Sequence, residues 1–83
     1  MAVVVENTPN PRAMKFTVGT PVGGPATFTD PATADERVAA VLNMPGVVSV
    51  FMTGDFVTVT RGEAESWDSI IPGVVAILES SFS

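Results

Sequence analysis

The sequence contains no cysteine, no histidine and no tyrosine. Thiolates and imidazoles are the ligands of structural zinc and of iron–sulfur clusters, so this chain lacks the donors for either. Ser–His and Cys–His nucleophile pairs are excluded in the same way, and no phenol can act as a general acid. Positive charge is also scarce. Arg12, Lys15, Arg37 and Arg61 stand against nine carboxylates, for a net charge of −5. Nucleic-acid binders need clustered cations to neutralise phosphates, and these four are scattered, so no nucleic-acid partner is expected. Attachment to an anionic membrane surface fails on the same ground. The longest apolar stretch, residues 70–78, falls well short of the ~20 residues a membrane span needs. No basic segment followed by an apolar run opens the chain, because Glu6 interrupts after Val3-Val4-Val5. With no disulfides either, a cytoplasmic location is the expectation.

What remains is enough for one small domain. The 83 residues, 46% of them hydrophobic, predict a single unit over residues 1–83 with one core. A chain this size buries only about two-thirds of the surface it exposes when unfolded, which leaves no deep interior for a substrate. A binding surface is easier to accommodate than an enclosed active site.

Local patterns predict the elements. Residues 2–6 are a β-branched run that reads as a strand. Thr8-Pro9-Asn10-Pro11 follows, and its two prolines fix φ, remove donors and keep Thr8 and Asn10 out of helical geometry, giving a rigid, extended bend. Residues 13–18 alternate, with Met14, Phe16 and Val18 on one face and Lys15 and Thr17 on the other, as a half-buried strand antiparallel to the first does. Residues 19–29 are rich in Gly and Pro, with Phe28 as an apolar anchor and room for a short edge strand at 26–28. The glycines at 19, 23 and 24 lack the Gly-Lys-Ser/Thr and the helix that a phosphate loop requires, so they read as a turn.

Thr33 and Glu36 have the spacing of a capping box. Ala34, Val38, Val41 and Leu42 then form the stripe of an amphipathic helix, which Pro45-Gly46 ends. Residues 47–52 and 56–60 predict two strands joined at Thr53-Gly54-Asp55, apolar enough to be central and covered on at least one face. Ser66 is placed to cap a last helix with Trp67, Ile70, Ile71, Val74 and Leu78 on one side. Pro72 interrupts that pattern and suggests a separate turn over 67–71 before the main helix. The predicted fold is α+β, β-β-α-β-β-α, a mainly antiparallel sheet with both helices packed on one face.

Four blocks of this sequence, taken in order, resemble the N-terminal domain of the Nfu/NifU-like iron–sulfur cluster scaffold family. They are TPNPRAMKF at 8–16, PGVVSVF at 45–51, DFVTVT at 55–60, and Trp67-Asp68 with Pro72 before the last helix. The resemblance implies an α+β domain of proteins that carry or assist cluster assembly. In two-domain members a separate C-terminal domain with a Cys-x-x-Cys motif binds the cluster, and the N-terminal domain helps select or dock partners. Cluster ligands have no positions here to be carried onto. No cofactor is therefore expected in this chain, and the iron–sulfur cluster is expected only on a partner or a C-terminal domain. The implied partners are iron–sulfur scaffold, carrier or client proteins.

The preferred interaction surface is residues 8–15. A proline-stiffened segment loses less entropy on binding, and Thr8, Asn10, Arg12 and Lys15 supply polar groups beside it. Turn chemistry alone also explains Pro and Asn there, with Lys15 simply facing solvent. Asp55 at the hairpin tip is a further candidate, although Asp is a common turn former. Glu63, Glu65 and Asp68 could weakly hold iron or another hard cation, but they lack the spacing and turn glycine of a calcium loop, and a solvated acidic loop is the simpler reading. Trp67 could be an exposed hot spot, but its register with Ile70 and Val74 favours a core anchor. No carboxylate pair sits where a cleft can be argued, so no enzyme is expected. The expected function is a non-catalytic interaction module of cluster assembly or delivery; the alternatives are a low-affinity carboxylate metal binder and a structural domain of a longer protein.

Overall fold

The computed structural model describes residues 3–63 and 66–82. Its elements are β1 (Val4–Asn7), β2 (Ala13–Thr17), β3 (Ala26–Phe28), α1 (Glu36–Leu42), β4 (Val47–Thr53), β5 (Phe56–Arg61) and α2 (Trp67–Phe82). The strands form one sheet in the order β1-β2-β5-β4-β3, with every neighbouring pair antiparallel. The α+β class is as expected. The order is β-β-β-α-β-β-α rather than β-β-α-β-β-α, because Ala26–Phe28 pairs with the outer edge of β4. Ala2, included in the first strand on sequence grounds, lies outside the described residues.

Cross-strand register sorts the side chains onto two faces. Val5, Phe16, Val57, Met52 and Ala26 form one row across the sheet, and Met14, Val59, Val50 and Phe28 form the next. Val38, Val41 and Leu42 of α1 and Ile70, Val74 and Leu78 of α2 pack into the same core, so both helices cover this face. The opposite face carries the rows Glu6, Lys15, Thr58, Phe51, Thr27 and Val4, Thr17, Phe56, Thr53.

To reach β3 from β2 the chain must pass the end of the β4–β5 hairpin, and the glycine-rich loop does this as a strap. The N–H groups of Val18 and Gly19 donate to the Asp55 carbonyl at 2.9 and 3.3 Å, and Val22 N–H donates to the Gly54 carbonyl at 2.9 Å. Val18 and Val22 are buried beneath it. Gly24 sits at φ 91°, where a Cβ would run into the Met52 carbonyl, so only glycine fits. The hairpin is one residue tighter than expected: Thr53 pairs directly with Phe56, which leaves a two-residue Gly54-Asp55 turn. Gly54 has φ 58° at its first central position, as a type II′ turn requires.

Two helix starts differ from the local reading. The N-cap of α1 is Asp35, not Thr33, and its side chain accepts the N–H of Arg37 at 2.9 Å. Thr33 is captured instead as the last residue of the Asp30-Pro31 turn, with its N–H on the Asp30 carbonyl at 3.1 Å. The second helix is not split at Pro72. It runs unbroken from Trp67 with Ser66 just before it, and burial of Ile70, Val74 and Leu78 on both sides of the proline outweighs the missing backbone bond.

Candidate functional site

Residues 10–13 form a closed turn, braced by Thr8, where the prolines suggest an extended bend. Asn10 Oδ1 accepts the Arg12 N–H at 2.9 Å, and the Asn10 carbonyl accepts the Ala13 N–H at 3.0 Å. Asn at the first position and Pro at the second are what a hydrogen-bonded turn of this kind favours. Thr8 Oγ1 accepts the Asn10 N–H at 3.2 Å and lies within donating distance of the carbonyls of Asn10 (2.8 Å) and Ala13 (2.9 Å). Asp30-Pro31-Ala32-Thr33 repeats the same pattern elsewhere, so the local chemistry alone does not mark a site.

What distinguishes the first turn is how the rest of the molecule holds it. The indole Nε1 of Trp67 donates to the Pro11 carbonyl at 3.0 Å. Arg61 N–H donates to the Arg12 carbonyl at 2.8 Å, and Arg61 Nη2 approaches the Pro11 carbonyl at 3.5 Å. The Arg61 guanidinium lies 5.7 Å from the Trp67 ring centroid and donates through Nη1 to the Gly62 carbonyl at 2.9 Å. Gly62 N–H in turn meets the Gly46 carbonyl at 2.8 Å. Three loops thus converge at one end of the sheet, bringing together Pro11 and Arg12 of one resembling block, Gly46 of another and Trp67 of a third. Arg12 Nη2 stands 3.3 Å from Glu63 Oε1 at the surface.

The candidate residues do not all come together. Thr8, Asn10 and Arg12 belong to this turn. Lys15 sits in mid-strand on the sheet face the helices leave open, its Nζ 4.5 Å from the Phe56 ring centroid. Asp55 lies at the opposite end, beyond the Thr17–Phe56 pair and about 17 Å along the sheet from Ala13 at the usual rise per residue, and its carbonyl serves the strap. Glu63 is engaged with Arg12, Asp68 lies in the first turn of α2, and Glu65 lies outside the described residues. Among the described residues no three carboxylates are grouped to hold a metal ion. Trp67 is half-buried against the core and also bonds the turn, so the choice between anchor and hot spot was too narrow. Local pattern reasoning missed Arg61 and the Trp67 N–H as partners of the turn, because 50 and 56 residues separate them from Pro11. The one signal available was the ordered set of resembling blocks.

A second polar cluster, around Asp35, is structural. Arg37 donates to both Asp35 oxygens, at 3.0 and 2.8 Å, and to the Val22 carbonyl at 2.8 Å. Its guanidinium lies 5.0 Å from the Phe82 ring centroid, tying the strap, α1 and the end of α2 together. These hydrogen bonds, side chain first and then the Arg37 N–H, hold the Asp35 carboxyl down to about 2.

The family model described as "Scaffold protein Nfu/NifU N terminal" matches residues 3–83. The chain belongs to this family. Among curated relatives, Arabidopsis thaliana NifU-like protein 5, mitochondrial, is 34% identical over the whole of this chain and 32% of its own length. The NFU1 iron-sulfur cluster scaffold homolog, mitochondrial, of Drosophila willistoni is 33% identical over the whole of this chain and 30% of its own. The Nfu N-terminal chain thus spans about a third of the curated relatives it matches. Among solved structures, the Staphylococcus aureus protein SAV1430 superposes with a TM-score of 0.79 at 28% identity, over 93% of this chain and 98% of that one. The cytoplasmic expectation is overturned by these mitochondrial relatives. It rested on the absence of a leader, of disulfides and of a membrane span, and a stretch spanning a third of its relatives carries no information about leaders.

Proposed function

We propose that this Nfu N-terminal chain is a non-catalytic docking module of iron–sulfur cluster assembly or delivery. It engages scaffold, carrier or client proteins through the turn at residues 8–12 and the surface around it. The family match and the relatives named as cluster scaffolds support the general role. The observation that carries the docking assignment is a turn exposed at its tip yet held from behind by Trp67 and Arg61. Such a segment presents its groups without first having to be ordered, which lowers the entropic cost of association. The chain's own residues do not fit a cluster, because it has no thiolate or imidazole, so the cluster is cargo held by a partner or by another domain.

Isotope-labelled chain titrated with purified iron–sulfur scaffold and carrier proteins tests this reading by NMR. Shifts should concentrate on residues 8–12, 46–48 and 61–63. A partner that binds while leaving those signals unmoved would refute the site.

A further inference from the structure

The four cations differ in how firmly they are committed. Arg37 bonds Asp35 twice, bonds the Val22 carbonyl and stacks on Phe82. Arg61 bonds the Gly62 carbonyl, reaches toward that of Pro11 and lies over Trp67. Lys15 lies over Phe56 on the open sheet face. Arg12 is held differently. Its side chain makes a single 3.3 Å approach to Glu63, and the two side chains are 51% and 80% exposed. An exposed, singly bonded ion pair contributes a factor of about five or less to an equilibrium, so Glu63 is cheaply displaced.

The backbone of Arg12 is by contrast fixed on both sides. Its N–H is held by Asn10 Oδ1 and its carbonyl by the Arg61 N–H. The carbonyls of Asn10, Pro11, Arg12 and Ala13 all have donors within the molecule. Asn10 has also spent its side-chain oxygen on the Arg12 N–H, so its amide NH2 is the end left to face outward. The turn therefore offers donors, the Arg12 guanidinium and the Asn10 amide, beside the exposed rings of Pro9 and Pro11. Donors next to apolar surface fit a carboxylate set among apolar side chains.

We infer that Glu63 is a resident stand-in for a partner's carboxylate: the turn docks an acidic protein segment whose carboxylate replaces Glu63 on Arg12, with the Asn10 amide donating alongside. This rests on the docking reading above and names the partner's chemistry. The net charge of −5 repels a polyanion at long range, so the fitting segment carries one or two carboxylates in an otherwise apolar stretch.

The probe is the capped pentapeptide Leu-Glu-Leu-Glu-Leu, with its glutamine and lysine counterparts as controls, titrated into the labelled 83-residue chain. The glutamate peptide should shift the Arg12 Nε–H and Asn10 NH2 signals, and the glutamine peptide should not. Glu63→Gln should tighten binding about two- to fivefold by removing the competitor, and Arg12→Gln should weaken it by about two- to fivefold and abolish the effect of Glu63→Gln. Glu79→Gln makes the same change in net charge on the exposed side of α2 and should leave affinity unaltered. Preference for the lysine peptide, or no response of affinity to Glu63→Gln, overturns the exchange. If scaffold proteins still shift the turn in that case, the docking reading survives without it; if they leave the turn silent, the docking reading falls independently.

Discussion

Trp67 serves two functions at once, packing its ring against the core and giving its indole N–H to the Pro11 carbonyl. Trp67→Phe keeps most of the packing and removes the bond, so urea denaturation should show a loss of about 1 kcal/mol. Amide exchange should accelerate at residues 10–13 more than in the sheet, because the turn loses one of its rear supports. Asp35 illustrates a different dependence. Its carboxyl is held down to about 2 from an ordinary 3.8, so its contribution is complete above about pH 4 and is lost as pH falls through 2. The pair is about a third exposed, so screening reduces that contribution to the order of 1 kcal/mol. Asp35→Asn keeps a competent N-cap and loses the charge. Its stability deficit relative to the parent chain should be present at pH 7 and shrink between pH 4 and pH 2 in chemical denaturation.

Among the elements, α2 carries the plainest local conflict. Pro72 stands inside the helix and faces solvent, and without an N–H it leaves the Asp68 carbonyl lacking its helical partner. Pro72→Ala should therefore stabilise the chain by about 1–2 kcal/mol, the gain in helix propensity being partly offset by a more flexible unfolded chain. A rise in urea midpoint at unchanged slope would confirm it, and a fall would mean that the proline ring packs on something essential. The strap between β2 and β3 is the counterpart in loop form. Its order comes from two hairpin-tip carbonyls and two buried valines rather than from any periodic pattern.

At the scale of the whole molecule, the sheet is covered on one face and open on the other, and its strands differ in protection accordingly. β5 has neighbours on both sides and sends Val57 and Val59 into the core, whereas β1 and β3 are the edges. Hydrogen exchange should be slowest at β5 and fastest at β1 and β3; slow β1 amides in the isolated chain would require a second strand paired along that edge. The two ends of the sheet also divide the work. The Trp67 end gathers the turn at residues 8–12, and the other gathers the hairpin tip, the strap and the Asp35–Arg37–Phe82 cluster. Since α2 runs from Trp67 to Phe82, the two ends are separated by about 24 Å at the helical rise.

The sequence by itself determined what depends on neighbours a few residues away. Alternation placed Met14 and Phe16 in the core, the 3.6-residue stripe placed Val38, Val41, Ile70 and Val74 there, and Gly54 marked the hairpin. The Asn10-Pro11 and Asp30-Pro31 turns rest on equally short-range chemistry, but the first had the pattern of an extended bend and the second lay in a segment with no distinct local reading. Local signals failed where two of them competed, as when the Asp30 turn took Thr33 from the helix cap, and where burial overrode propensity, as at Pro72. Only the tertiary structure decided that Ala26–Phe28 pairs with β4, that Lys15 and Asp55 lie apart from the turn, and that Trp67 and Arg61 hold Pro11 and Arg12 from behind. The Trp67 and Arg61 contacts join residues about fifty positions apart, and no local periodicity or turn preference encodes which distant donor will reach a given carbonyl.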